Sequence, residues 1–392
     1  MTGEIRLQEL FFALLRFELI GEALTPQVKE ALTTERMQQL YVLAKKHDLA
    51  HLISGALKSQ GLLSADPELK KRFDKERYMA VYRYEQSEYE FNQIARVLEE
   101  LQISFIPLKG MIIRGYYPES WMRTSCDIDI FVHGEDVAKA ERALVEQLEY
   151  VSEGKISHDL QMVAPSGVHF ELHYELIEAF LNAPVASVLE NVWEQTDAYA
   201  ENSVRRVMKD ETFYFYHVAH MAKHFENGGC GVRPFLDLWI LDHQLTGNEE
   251  KREAMIARGG LTKFLEAARA LMNVWLAGAA HTTLTEKLEE YILHGGVYGT
   301  HENKLAVQRV KKGGKFRYAL SQIFLPYAKL AKKYPVLEKH KWLFPFLSVW
   351  RWICAPFGGK IKKNLQNVEE HGSVSEKTQT ETDALLREIG LR

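Results

Sequence analysis

Residues 108–132 read LKGMIIRGYYPESWMRTSCDIDIFV, and this stretch decides the fold of the chain. Acidic and apolar side chains alternate near its end, and a period of two predicts a β-strand with one polar and one buried face. Asp127 and Asp129 therefore leave the strand on one side, while Ile128 and Ile130 point into a core. Two carboxylates on one face repel each other unless a cation lies between them, and Mg²⁺ favours oxygen ligands.

The residues before this strand form a candidate anion site. The apolar segment 103–107 predicts a short strand, and a helix over 110–117 is expected to begin at Gly110. A helix N-terminus after a strand attracts anions because its backbone N–H groups are free and the helix dipole is positive there. Lys109 adds a positive side chain beside this turn.

A third carboxylate lies on a second alternating segment, residues 168–174, whose polar face carries Glu171 between His169 and His173. If the two strands are neighbours, two aspartates and one glutamate can hold one or two Mg²⁺ ions for an in-line phosphoryl or nucleotidyl displacement. The alternative is a solvated strand edge or a turn, where Asp-x-Asp is common.

The order of these motifs resembles a known family. Leu-Lys-Gly at 108–110, Arg-x-x-x-Asp-Ile-Asp-Ile at 123–130 and Phe-Glu-Leu-His at 170–173 are similar to the uncharacterised nucleotidyltransferase family of the polymerase-β-like nucleotidyltransferase superfamily. The resemblance is most specific over residues 105–175. It is looser over the two helical flanks, residues 5–105 and 205–290.

The resemblance implies a nucleotide site. In the superfamily a glycine at a helix start binds the NTP phosphates, which implies this role for Gly110, with Lys109 and Arg123 also holding the triphosphate. For Arg123 the alternatives are a solvated side chain or one that holds an aspartate. The resemblance also implies catalytic and Mg²⁺-binding roles for three carboxylates: Asp127, Asp129 and Glu171. The chain departs from the usual Gly-Ser or Gly-Gly pair, since Gly110 follows a lysine and precedes Met111, and its gap to the acidic pair is long.

A histidine-rich segment, residues 211–226, predicts a helix with His220 and His224 on one face. The resemblance implies a helical lid in which His220, Lys223 and His224 lie near the phosphates or the acceptor. His-x-x-x-His can also bind zinc, but Met221 stands where a zinc protease has its glutamate base. Buried structural histidines are the third interpretation.

Several polar residues outside these motifs are expected to have structural roles. Arg233 and Asp237 lie one helical turn apart and are predicted to form an ion pair. The pair His158-Asp159 begins a strand and lies either near the site or at a solvated strand end, and the second is favoured. The pair His47-Asp48 is predicted to be solvated rather than catalytic. Cys126 is out of phase with Asp127 and is therefore predicted to face the core.

The composition indicates a globular chain without a general affinity for nucleic acid. The net charge is −4 and charged residues make up 26% of the chain, whereas broad nucleic-acid binding needs a basic surface. The cysteines are odd in number and dispersed, so they predict neither disulfides nor a cysteine zinc site; they are Cys126, Cys230 and Cys354. No signal peptide and no membrane span are predicted, so the cytoplasm is the expected location. The apolar and basic segment 342–363 could still contact a membrane surface.

The expected fold is α+β, with a small mixed sheet of the nucleotidyltransferase type flanked by N-terminal and C-terminal helices. We predict five regions along the chain. They are an N-terminal helical region (1–101), an α/β core (102–207), a helical lid region (208–295), a basic and aromatic helical region (296–365) and a polar tail (366–392). The individual predictions include a helix at 68–101, helices at 135–149 and 185–200, a short closing helix at 383–391, strands at 158–164, 168–174 and 204–207, and a hairpin turn at 165–167.

The leading functional hypothesis is Mg²⁺-dependent transfer of a nucleoside monophosphate from an NTP to an acceptor. The acceptor is not readable from the sequence, and a small molecule, a protein side chain and an RNA end all stay open. One alternative is a binding module that kept the fold, lost the chemistry and acts on a protein or membrane partner. A third hypothesis is a metal-dependent phosphohydrolase that uses His220 and His224.

Overall fold

The computed structural model describes residues 5–155, 158–177, 183–297, 299, 304, 307, 336–347 and 376–392. The chain divides into two compact units. The first comprises Met1–Ala222 and Gly231–Val297, and the second comprises Lys223–Cys230 and Tyr298–Arg392. The fold is α+β, as predicted, and the sheet lies in the first unit.

Helices form the N-terminal part of the first unit, and the longest of them ends where the sheet begins. They are α1 (Leu7–Ile20), α2 (Pro26–Ala31), α3 (Thr34–Lys46), α4 (Ala50–Ser59) and α5 (Pro67–Glu100). The start of α5 has clear local causes. The Asp66 carboxylate accepts a hydrogen bond of 2.9 Å from Leu69 N, and Pro67 occupies the first turn, where its missing N–H costs nothing. The predicted helix 68–101 is thus confirmed.

The central sheet is mixed and has five strands in the order β1-β2-β5-β4-β3. They are β1 (Phe105–Pro107), β2 (Asp127–Val132), β3 (Val151–Lys155), β4 (Asp159–Val163) and β5 (His169–His173). Strands β2 and β5 are parallel, and every other neighbouring pair is antiparallel. The predicted hairpin between β4 and β5 is present, and Gly167 supplies its positive φ of 85°.

The buried face of this sheet packs against α5 and against α7 (Val137–Leu148). Ile128 and Ile130 from β2 are fully buried there, together with Phe170 from β5. Burial of each such side chain contributes roughly 1.5–3 kcal/mol. The alternation in the sequence therefore places the apolar residues in the core and turns the acidic residues toward the opposite face.

One strand of this region was missed, and one local prediction about it is wrong. Strand β3 was not predicted, because its sequence Val-Ser-Glu-Gly-Lys lacks apolar alternation and its side chains are exposed or half-buried. Cys126 is exposed rather than directed into the core. The strand begins only at Asp127, so the alternation does not extend back to Cys126.

The rest of the first unit is mainly helical and includes a small two-stranded sheet. Its elements are α6 (Gly110–Ile113), α8 (Ala183–Leu189), β6 (Thr196–Ala198), β7 (Arg206–Met208), α9 (Asp210–Phe225, which continues into the second unit), α10 (Arg233–Gln244), α11 (Glu249–Arg258), α12 (Thr262–Ala277) and α13 (Thr283–Gly295). The predicted helix 185–200 is wrong at its C-terminal end, where β6 pairs with β7. Arg206 stabilises this pairing by donating to the Thr196 carbonyl oxygen at 3.0 Å.

The second unit contains α14 (Val336–Lys339), a 3₁₀ turn (Lys341–Leu343) and α15 (Glu376–Glu388). The closing helix thus begins seven residues earlier than predicted. Trp342 and Phe346 are exposed and their ring centroids lie 6.2 Å apart. The remainder of the predicted surface segment, 348–363, lies outside the described residues. Among the residues described, no helix is both long enough and apolar enough to cross a membrane.

Candidate active site

Three carboxylates lie on the polar face of the sheet because of how β2 and β5 pair. The parallel register places Asp129 directly beside Glu171, and Asp127 beside His169. Side chains that are paired in register on adjacent strands leave the sheet on the same face. Two carboxylates that are 42 residues apart in the sequence therefore become neighbours.

Asp129 is the most buried of the three, and two nitrogen atoms contact one of its oxygens. Its Oδ1 atom lies 2.7 Å from Lys109 Nζ and 2.8 Å from His173 Nε2. Burial alone would raise the pKa of Asp129, but the charges of Lys109 and His173 hold it well below its ordinary value. Burial likewise opposes the charge on His173, yet its hydrogen bonds to Asp129 and Glu171 raise the pKa of the imidazole.

Lys109 occupies an unusual turn between β1 and α6. Its backbone has φ 44° and ψ −115°, a combination that side-chain-bearing residues rarely adopt. This turn directs the ammonium group toward Asp129. Burial opposes the charge on Lys109, but the carboxylate of Asp129 raises the pKa of the ammonium above its ordinary value.

Gly110 follows this turn and lies in close contact with the next loop. A Cβ atom at this position would lie 2.7 Å from Arg123 Nη1 and 3.1 Å from Ser125 Cβ. The chain therefore requires glycine here for a close approach rather than for a positive φ.

Asp127 lies two residues before Asp129, and its pKa is shifted in the opposite direction. Burial, and then the negative charges of Asp129 and Glu171, raise the pKa of Asp127 to about 6. Burial and repulsion from the neighbouring carboxylates thus both oppose ionisation of Asp127.

Arg123 has an aspartate partner on α10. Its Nη2 donates to Asp237 Oδ2 at 2.9 Å, and Nε donates to Oδ1 at 3.3 Å. Tyr117 also donates its hydroxyl to Asp237 Oδ1 at 2.7 Å. Burial opposes ionisation of Asp237, but the guanidinium of Arg123 lowers the pKa of this carboxyl. The geometry therefore ties the loop before β2 to α10.

The predicted ion pair between Arg233 and Asp237 is wrong. Arg233 Nη2 instead donates to Asp48 Oδ2 at 2.8 Å, and its Nη1 donates to the Thr124 carbonyl oxygen at 2.8 Å. The one-turn spacing within α10 suggested a local pair, but Asp237 faces Tyr117 and Arg123. The prediction that residues 47–48 are solvated is wrong as well, because His47 is fully buried.

Helix α9 contributes a residue that the sequence analysis missed. Tyr216 is buried, and burial together with the carboxylate of Asp129 raises the pKa of its hydroxyl. The charge of Lys109 acts on Tyr216 in the opposite direction, so this tyrosine lies beside the carboxylate group. The centroids of Tyr216 and His220 are 6.2 Å apart. Tyr216 lies four residues before His220, so both side chains lie on one face of the helix. This spacing could have identified Tyr216 from the sequence.

The two remaining predicted residues of α9 lie in the second unit. The Lys223 carbonyl oxygen accepts a hydrogen bond of 2.7 Å from Asn227 Nδ2, and the His224 carbonyl oxygen accepts one of 3.0 Å from Gly229 N. These bonds end the helix. The predicted roles of both side chains stay predictions.

Two groups of potential metal ligands occur in the described part of the chain. One consists of Asp129, Glu171 and His173, and the other of His158, Asp159 and His173. The ligand atoms of each group lie within 4.8 Å of one another. Asp159 is buried, so the prediction of a solvated strand end is wrong for it.

Comparisons with known proteins agree with the motifs on this sheet. No curated protein matches the chain. The solution structure of the antibiotic-resistance factor ANT(2'')-Ia matches 49% of this chain and 97% of its own length, with 14% sequence identity and a TM-score of 0.34. That likeness is too weak to support an inference about substrate. A model of the uncharacterised nucleotidyltransferase family matches residues 33–277, which is more than half of the chain and includes both acidic strands; the protein therefore belongs to this family.

Proposed function

We propose that this protein transfers a nucleoside monophosphate from an NTP to an acceptor in a Mg²⁺-dependent reaction. Membership of the family supports nucleotidyl transfer in general. The observation that carries the finer proposal is the register that places Asp129 beside Glu171, with Asp127 on the same face. Oxygen-bearing side chains on one face of a sheet suit a hard divalent cation.

The donor set fits Mg²⁺ on chemical grounds. Asp127, Asp129 and Glu171 offer carboxylate oxygens only. The raised pKa of Asp127 reflects burial first and then repulsion from Asp129 and Glu171, and a cation would relieve this repulsion. In this proposal the three carboxylates hold the ion, which would neutralise triphosphate charge and stabilise an in-line displacement.

Lys109 and Gly110 are proposed to bind the triphosphate. When the NTP binds, Lys109 would exchange its contact with Asp129 for a contact with a phosphate oxygen. Its ammonium would then be paired with an anionic oxygen both in the free protein and in the NTP complex. Gly110 lets the backbone approach the phosphates closely. We assign Arg123 a positioning role, because its bond to Asp237 supports the Gly110 turn.

Glu171 is proposed to accept the proton of the acceptor hydroxyl. Its side chain is about one-quarter exposed, so an acceptor can reach it. The deprotonated oxygen would attack the α-phosphorus of the NTP, and the bond to pyrophosphate would break. His173 Nε2 lies 3.3 Å from Glu171 Oε2 and would keep this carboxylate oriented.

One observation favours a second candidate function, a binding module without chemistry. Lys109 and His173 already balance the charge of Asp129 without any metal ion. A protein that had lost catalysis could retain this arrangement as a structural ion pair. Such a module would not need Mg²⁺ to bind a nucleotide, and this difference separates the two proposals.

A thermal-shift experiment with each NTP, with and without Mg²⁺, tests the proposed function. Ligand that binds only the folded state raises the melting temperature. We expect a Mg²⁺-dependent rise for the wild type that Asp127→Asn abolishes. Asp197→Asn, at an exposed position on β6, is the matched control and should behave like the wild type. A rise with NTP alone, or none at all, would favour the binding module.

A further inference from the structure

A second group of metal-binding side chains lies next to the carboxylate site. His158 precedes β4, Asp159 begins it, and His173 ends β5. The antiparallel register places Asp159 directly opposite His173. The backbone of His158 is fixed as well, because its carbonyl oxygen accepts hydrogen bonds from Tyr174 N at 3.1 Å and from Glu175 N at 3.3 Å.

Asp159 contains an unsatisfied buried atom. Its Oδ1 is inaccessible to solvent and has no hydrogen-bond partner among the described residues. Its other oxygen, Oδ2, lies 3.3 Å from His158 Nε2. A buried carboxylate oxygen without a partner costs free energy, and such orphans call for a specific explanation. A bound cation would supply the missing partner.

His173 is oriented in the way that metal-binding histidines usually are. Its Nε2 contacts Asp129 Oδ1 at 2.8 Å, and the ring centroids of His158 and His173 lie 5.7 Å apart. A histidine that binds a metal through one nitrogen normally donates its other N–H to a carboxylate. A cation bound by His173 would therefore be held by its other nitrogen, while Nε2 keeps the contact with Asp129.

We propose that His158, Asp159 and His173 form a binding site for a transition-metal ion, with Zn²⁺ as the preferred ion. Two imidazoles and one carboxylate are a donor set typical of zinc sites that keep an open position, whereas Mg²⁺ prefers oxygen ligands alone. The site is distinct from the three carboxylates proposed for Mg²⁺ and shares only the imidazole of His173 with their surroundings.

Zinc binding to the whole chain tests this proposal without any assay of transfer. The protein is stripped with a chelator and titrated with Zn²⁺ against a chromophoric competitor in excess Mg²⁺, and Co²⁺ is used as a spectroscopic probe. We expect one tightly held Zn²⁺ per chain and a visible Co²⁺ spectrum typical of nitrogen and oxygen ligands. His158→Gln should weaken Zn²⁺ binding about tenfold or more, since even loss of an indirect partner has that effect.

Two matched variants locate the ion. Asp127→Asn removes a ligand of the carboxylate site that lies beside His169 rather than His173, and His220→Gln removes one histidine of the His-x-x-x-His pair; both should leave Zn²⁺ affinity unchanged. The proposal would be overturned if the wild type failed to retain Zn²⁺. It would also be overturned if either control variant lost Zn²⁺ binding while His158→Gln retained it. The melting temperature of the metal-free variants checks folding, and Asp159→Asn, which preserves side-chain volume, replaces His158→Gln if the latter does not fold.

Discussion

Lys109 Nζ lies 2.7 Å from Asp129 Oδ1, so an ion pair joins the strained turn after β1 to the acidic face of β2. The carboxylate is 3% exposed and the lysine side chain is 21% exposed. An ammonium group in this position competes with any metal ion for Asp129. The pair therefore influences both the stability of the fold and the affinity of the site for cations.

The first prediction concerns the loss of this ammonium. Lys109→Met should destabilise the metal-free protein by about 3–5 kcal/mol, because it leaves a buried carboxylate with one cationic partner fewer. Added Mg²⁺ should then stabilise the variant more than the wild type. Urea unfolding with and without Mg²⁺ measures both effects. Lys263→Met, at an exposed position on α12, is the control. Equal stability of Lys109→Met and the wild type would show that the pair is not important for folding.

The second prediction separates the two aspartates of β2. Asp127→Asn should abolish transfer, with a loss of roughly 100-fold or more, and should keep or increase stability at pH 7 because it removes a carboxylate that resists ionisation. Asp129→Asn should abolish transfer and also destabilise the fold, because Lys109 and His173 lose their counter-charge. Labelled-nucleotide transfer and chemical unfolding measure the two properties. Full activity in both variants would contradict the proposed function.

The third prediction concerns the close approach at Gly110. Gly110→Ala places a methyl group 2.7 Å from Arg123 Nη1, and the guanidinium has little freedom to yield because Asp237 holds it. We expect a loss of about 1–3 kcal/mol in stability and weaker NTP binding. Gly115→Ala is the matched control, since a Cβ at Gly115 meets nothing within 4 Å. Similar effects of the two substitutions would exclude the steric explanation.

The fourth prediction concerns acid sensitivity. His51 is buried, its Nε2 lies 2.7 Å from the Met122 carbonyl oxygen, and burial lowers its pKa to about 4. The unfolded chain has the ordinary pKa of 6.5, so it binds a proton first as the pH falls. Stability from this group is therefore complete above pH 6.5 and declines between 6.5 and 4, by up to about 3 kcal/mol.

His51→Gln should remove this part of the acid sensitivity while it keeps a donor for the carbonyl oxygen of Met122. The measurement is the free energy of unfolding by urea from pH 7 to pH 4. His243→Gln, at an exposed position on α10, should leave the pH dependence of the wild type unchanged. An unaltered slope in His51→Gln would mean that protonation of other groups governs the acid response.

The strands that carry the carboxylates could be predicted because their patterns are local. Alternation identified β2 and β5, and it identified the face on which Asp127, Asp129 and Glu171 lie. It did not determine that β2 and β5 pair in parallel with Asp129 beside Glu171, because register depends on the whole connection between them. The edge strand β3 was missed because it buries little apolar surface.

Long-range polar partners were the least predictable part of the site. Arg233 was assigned the nearest acidic residue on its own helix, but its partner is Asp48, which lies 185 residues away in the sequence. Lys109 was expected to serve only phosphate, and its ion pair with Asp129 depends on an unusual backbone conformation. Side-chain spacing predicts neighbours within one element, whereas these contacts depend on how separate elements pack.

The parallel pairing of β2 with β5 also has a consequence for the order of folding. The connection between these strands contains α7, β3 and β4, and β3, β4 and β5 pair antiparallel in chain order. Local antiparallel contacts form faster than parallel ones across a long loop. We therefore expect this three-strand meander to form early and to dock on β2 late. Docking brings Glu171 toward Asp129, and Lys109 reduces the repulsion at that moment. Assembly of the sheet and assembly of the site are thus the same kinetic event.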